Sequence, residues 1–279
     1  MSPFRQGGTV IKYKTEFSFS LAFIVTGWNK TCKFYLEKFI GSAVPSQRIV
    51  GGDFTEEGDF PEMVSVYSDP LIGSKQHLCG GIILNDNHVL TTATCVHNRN
   101  SLYVMGAGVN LENETGYEEH KAVSMVIVHP DYDSVTKAHD LAVLKLNHNF
   151  VFVTGLVTPA VLPAPETAEP TTGTHMTAVG WGKDGPDGEM QMMQKAVNLT
   201  YLSREECSVI FGTFVQPNEG CLEGSDGEGV CIGDEGGLVE DAHGTAMAIV
   251  SWHVSCDAFP AVVTLLAPYH EWITSHFDT

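Results

Sequence analysis

The sequence predicts an all-β body of two barrels finished by one short C-terminal helix, and three observations carry that prediction. From Ile49 onward, short apolar runs are separated by Gly, Pro, Asn and Asp, which is the spacing of strands and turns. Helical periodicity is clear only near the end, where Tyr269, Trp272, Ile273 and His276 follow Pro268 at helical intervals. With 279 residues, 43% of them hydrophobic, the chain is long enough to bury a full core, and β-barrel proteins of this length often form one domain.

Residues 1–48 read as an N-terminal extension. Within it the apolar stretch Phe17–Trp28, preceded by Lys12 and Lys14, resembles a secretory signal. The body, residues 49–279, opens a series of strand candidates: Gly81–Leu84, His88–Leu90, Val123–Val128 and Leu141–Leu146. Leu162–Thr174, rich in Pro, Glu and Thr, reads as the connection between the two halves. No run of eighteen apolar residues occurs, which argues against a membrane-spanning helix and for a soluble protein.

The formal net charge is −19, unevenly spread. Residues 1–48 carry seven Lys/Arg against two Asp/Glu, which leaves eight against thirty-two in residues 49–279, a net −24. So acidic a body repels nucleic acid and anionic lipid and steers toward basic partners. The seven cysteines include no C-x-x-C pair, so a disulfide framework in an oxidising compartment is expected rather than zinc or dithiol redox chemistry. Sequons at Asn29, Asn113 and Asn198 agree with secretion.

A set of motifs then recurs in a telling order. Arg48-Ile-Val-Gly-Gly52 comes first, followed by Cys79-Gly-Gly81, Leu90-Thr-Thr-Ala-Thr-Cys95 and His139-Asp-Leu-Ala-Val-Leu-Lys-Leu146. Val179-Gly-Trp-Gly182, Cys231-Ile-Gly-Asp-Glu-Gly-Gly237, Ser251-Trp252 and Pro260–Thr264 complete the series. Together they resemble the trypsin/chymotrypsin-like serine proteases over residues 49–279, in the style of an arthropod homologue. The resemblance implies two six-stranded antiparallel barrels, a zymogen origin and the disulfides Cys79–Cys95, Cys207–Cys221 and Cys231–Cys256, with Cys32 left over.

Acyl transfer in that family needs a nucleophilic hydroxyl, an imidazole that takes and returns its proton, and a carboxylate that orients the imidazole. Only the carboxylate matches. Asp140 stands at the aspartate position, but Thr94 stands where the histidine belongs and Glu235 where the serine belongs. A threonine hydroxyl is no general base near neutral pH, and carboxylate attack on an amide gives an anhydride with no proton donor for the departing amine. By family position the oxyanion hole falls to the N–H groups of Gly233 and Glu235, where the Glu235 carboxylate competes for the donors.

The rest of the machinery is kept unevenly. Cleavage after Arg48 would free the ammonium of Ile49 to insert beside Asp234, as the family implies. At the specificity pocket, Gly229 and Val230 give a basic side chain no counter-charge, and His253 after Ser251 and Trp252, with Ala261 in place of a glycine, predicts a partly blocked pocket. No metal and no other cofactor are expected: the histidines lack ligand spacing, the pairs His77/His88 and His139/His148 read as loop and rim residues, and Glu112, Glu114, Glu118 and Glu119 read as a solvated acidic loop. The expectation is a secreted, extracellular, non-catalytic homologue that binds other proteins, whether active proteases, zymogens or inhibitors, as cofactor, regulator or decoy. The rival is a serine-type endopeptidase with residual or altered activity, its extreme form a carboxylate pair of Asp140 and Glu235.

Overall fold

Burial alternates residue by residue along the strand Lys195–Leu202, one side facing a core and the other facing out. The computed structural model describes residues 51–68, 75–225, 227–256 and 258–277. The first barrel closes six antiparallel strands: β2 (Met63–Ser68), β3 (His77–Asn85), β4 (His88–Thr91), β5 (Leu102–Gly106), β6 (Glu119–Val128) and β7 (Ala142–Leu146), in the order β2-β3-β4-β7-β6-β5. The second is built from β8 (His175–Gly180), β9 (Lys195–Leu202), β10 (Glu219–Glu223), β11 (Leu238–Glu240), β12 (Ala246–Trp252) and β13 (Ala261–Leu265), and the β8–β9 pairing closes it. The two-residue β1 (Asp53–Phe54) adds to β9.

Each barrel fills with its own inward side chains, among them Val64, Ile83 and Leu144 in the first and Met176, Leu199 and Val263 in the second. A third cluster joins residues of both barrels, including Ile82, Leu90, Leu141, Trp181 and Ile249, with Tyr269 and Ile273 from the C-terminal end. Burying a large apolar side chain contributes about 1.5–3 kcal/mol, so this seam fixes the barrels against each other and thereby the residues at their junction.

Three helices punctuate the strands: α1 (Ala93–Val96), α2 (Arg204–Phe211) and α3 (His270–Thr274), the last preceded by a 3-10 turn at Ala267–Tyr269. The expectation of helix only at the C-terminus is corrected by α2. Its signal is local: Ser203 caps the helix, its hydroxyl accepting from the Glu206 N–H, in the Ser-x-x-Glu arrangement of a capping box. A second correction concerns His77 and His88, which are strand residues with buried rings rather than loop or rim residues. Each finds a partner for Nδ1, the Ser65 hydroxyl at 2.7 Å and the Asn85 side-chain oxygen at 3.0 Å.

Disulfides join Cys79 to Cys95, Cys207 to Cys221 and Cys231 to Cys256. The secretory-signal stretch, Asn29, Cys32 and the Arg48–Ile49 bond lie outside the described residues.

Candidate functional site

The junction of the barrels presents two clusters. The first is built on Asp140, which precedes β7 and is fully buried. Thr94 lies in α1, whose Cys95 is tied by its disulfide to β3. The Thr94 backbone N–H donates to Asp140 Oδ1 at 2.7 Å and its hydroxyl to Oδ2 at 2.9 Å. Because that hydroxyl has one proton, the Tyr132 hydroxyl, 3.0 Å away, is the donor to Thr94 Oγ1. Ser251 of β12 donates to Asp140 Oδ2 at 2.8 Å. Burial raises the Asp140 pKa, and the hydrogen bonds from Thr94 and Ser251 oppose that rise.

The second cluster sits on the tight turn Cys231–Gly237. Gly233 and Gly236 have φ of +102° and +76°, and a Cβ on Gly236 would lie 2.4 Å from the Gly80 carbonyl oxygen, so glycine is required there. The Gly80 N–H donates to the Glu235 carbonyl at 2.8 Å, docking the turn on β3 of the first barrel. The Glu235 side chain folds back: Oε2 accepts from the Gly233 N–H at 2.8 Å, and Oε1 lies 3.5 Å from His253 Nδ1. The His253 side chain is only 8% exposed, so the imidazole faces the site rather than solvent. That 3.5 Å contact counts as an ion pair only when the ring is protonated, and its geometry is too loose for a hydrogen bond.

Two buried groups brace this turn. His77 Nε2 donates to the Gly233 carbonyl at 2.9 Å, which makes Nδ1 the acceptor from Ser65. Burial pushes the His77 pKa down to about 4, so the ring is neutral. Asp234 accepts from the Gly182 N–H at 2.7 Å and the Cys231 N–H at 2.8 Å. Burial pushes its pKa up to about 7, helped by the neighbouring Glu235 charge and opposed by those two N–H groups and the Lys195 cation.

Beside this turn, a Cβ on Gly229 would lie 2.5 Å from the Cys256 carbonyl oxygen, and Val230 and Ala261 are buried. The Trp252 ring packs edge-on against Phe211 of α2, with centroids 5.3 Å apart. Cys231, His253 and Cys256 approach one another within 4.8 Å, but both sulfurs are spent in one disulfide and offer no thiolate to a metal.

Residues 49–273 match the family model described as Trypsin. The chain belongs to the trypsin family. It is 31% identical to Trypsin II-P29 of Gallus gallus over 81% of this chain and 88% of that protein. It is 30% identical to Ovochymase-2 of Mus musculus over 83% of this chain, but spans only 41% of that longer protein. Among solved structures, the one described as "Structure of GrC" superposes with a TM-score of 0.74 at 28% identity, covering 82% of this chain and 99% of that one.

Placed in the trypsin fold, Thr94 and Asp140 meet in one cluster and Gly233, Glu235 and His253 in the other, and the last two residues of β12 link them, Ser251 on Asp140 and Trp252 preceding His253 in the chain. Sequence reasoning missed His77, Ser65 and Tyr132, which hold the two clusters from behind. Asn113 and Asn198 are exposed. The acidic loop is engaged internally: Glu114 pairs with Lys75 and lies 3.2 Å from His120, Glu118 accepts from the Thr115 and Gly116 N–H groups at 2.8 Å, and Glu119 pairs with Lys121 at 2.6 Å.

Proposed function

We propose that this chain is a secreted trypsin-family protein that does not hydrolyse peptides and acts by binding other proteins, as cofactor, regulator or decoy in a proteolytic pathway. The observation that carries the reading is the Glu235 carboxylate on the Gly233 N–H. By family position that N–H is a donor for the oxygen that becomes negative during acyl transfer. A resident carboxylate fills it and repels a second negative charge. Across the site, the Thr94 hydroxyl is committed to Asp140 and presents no basic nitrogen to take a proton. Losing the hydroxyl nucleophile or its imidazole lowers turnover by about a million-fold in a related protease design, and losing both costs little more because they act as a unit. Asp140 and Glu235 do not form a working acid pair: the hydroxyls of Thr94 and Ser251 saturate one oxygen of Asp140, and the Thr94 N–H takes the other.

The activation apparatus fits the same reading. Asp234, with its raised pKa, is the acceptor that an Ile49 ammonium freed by cleavage after Arg48 would ionise and pair with. N-terminal sequencing of secreted protein should find Ile49; only uncut chain would remove this part of the proposal.

The deciding experiment is restoration. Protein cut after Arg48 is assayed against a mixed peptide library and a fluorophosphonate label, as wild type, as Thr94→His, as Glu235→Ser and as the double variant with His253→Gly. Wild type and both single variants should be silent, and turnover should appear only in the combined variant. Turnover by wild type that co-purifies with the chain and vanishes in Glu235→Ala overturns the proposal.

A further inference from the structure

Helix α2 carries apolar side chains on two sides, and only one of them is used by the fold. Cys207 is buried and Phe211 half-buried, packing with Val215, Cys221, Val262 and Trp252 into a small satellite core. On the other side Val209 is 85% exposed, and Phe214, in the turn that follows, is 68% exposed. Ile210 is also exposed, four residues before Phe214.

Folding does not explain these residues. A β-branched valine at a solvent-facing helical position lowers helix propensity and gains no burial in return, where Lys or Glu would serve the isolated fold better. Apolar side chains that gather on one surface with a polar fringe mark a contact face. The fringe here is acidic: Glu205 and Glu206 are exposed in the first turn of the same helix, and residues 49–279 carry a net −24. A second copy of the chain would set those carboxylates against each other across a two-fold axis, which opposes self-pairing.

We propose that the outer face of α2, with Phe214, is the docking surface for a partner protein, whose contacting segment presents aliphatic or aromatic side chains flanked by Lys or Arg. This deepens the binding role proposed above and rests on it for its biological meaning. Its measurement is independent, because turnover by the wild type would overturn that reading without changing a binding isotherm at α2.

The test is fluorescence anisotropy of a labelled amphipathic peptide of Leu, Phe and Lys, beside the same peptide with Glu for Lys, titrated with the full chain. The wild type should bind the basic peptide saturably, more weakly as salt rises, and should not bind the acidic one. Val209→Ser with Phe214→Ser, both exposed and so tolerated by the fold, should weaken binding about tenfold, equivalent to about 1.4 kcal/mol. Glu205→Lys with Glu206→Lys should weaken it several-fold and flatten the salt dependence, whereas Phe152→Ser, exposed on the first barrel, should change nothing. Circular dichroism and thermal melting confirm that each variant is folded. Equal binding by the Val209/Phe214 variant, no saturable binding of the basic peptide by the wild type, or a Phe214-dependent dimer in sedimentation each overturns the proposal.

Discussion

Two buried aspartates, Asp140 and Asp234, hold the two halves of the site, and they are held in different ways. Among the described residues Asp140 takes three hydrogen bonds, two from side-chain hydroxyls and one from a backbone N–H. Asp234 takes two, both from backbone N–H groups, and shares its surroundings with the Glu235 charge. Burial raises the pKa of both, and what opposes the rise differs: the hydrogen bonds of Thr94 and Ser251 with the Lys137 cation at Asp140, and two backbone N–H groups with the Lys195 cation at Asp234. Carboxylates at the same depth thus depend on different parts of the fold.

The largest expected effect separates the two by stability. Asp140→Ala leaves the Thr94 N–H and the hydroxyls of Thr94 and Ser251 without their acceptor and should cost about 3–5 kcal/mol. Asp234→Ala strands two backbone donors and removes an unfavourable buried ionisation, and should cost about 2 kcal/mol. Urea denaturation of both variants checks the order; a larger loss at Asp234 would erase the distinction.

A pH titration of stability sharpens it. The folded-state pKa of Asp234 is raised to about 7 from an ordinary 3.8. Its contribution is therefore fully present below about pH 4 and is lost as pH rises through about 7. Glu219 and Glu240, also pushed up to about 7 by burial, slope the same way. The informative quantity is the difference between the wild type and Asp234→Asn, which should fall across that window. A flat difference, measured by thermal melting at fixed ionic strength, would mean that Asp234 titrates normally.

Smaller effects follow. Ser251→Ala removes one of the three donors to Asp140 and should cost about 1 kcal/mol, visible as a shifted urea midpoint with an unchanged slope. Ser203→Ala, which deletes the α2 cap, should also cost about 1 kcal/mol. Hydrogen exchange should place that loss in residues 204–211 alone, away from both aspartates.

The barrels were legible because their information is local: apolar runs of strand length, turn residues between them and motifs in a fixed order. Helix α2 was equally local, written as Ser203-x-x-Glu206, and was overlooked because its exposed Val209 and Ile210 blur the apolar stripe that marks an amphipathic helix. At the site, residue types announced what stands at positions 94, 140 and 235. Side-chain direction was legible only in part: the Glu235 carboxylate on the Gly233 N–H was expected, but the approach of His253 to Glu235 and His77 gripping the Gly233 carbonyl are set by residues distant in sequence. An imidazole in a strand reads as a surface residue until a partner such as Ser65 is known to lie behind it.

The Thr94–Asp140–Ser251 set also works as a joint between the two halves of the molecule. Thr94 lies in α1 and Asp140 just before β7, both in the first half, whereas Ser251 lies in β12 of the second barrel, so a single buried carboxylate ties elements of both together. Whatever moves one barrel against the other must first pull on this carboxylate, which makes it a gauge of how rigidly the junction is held.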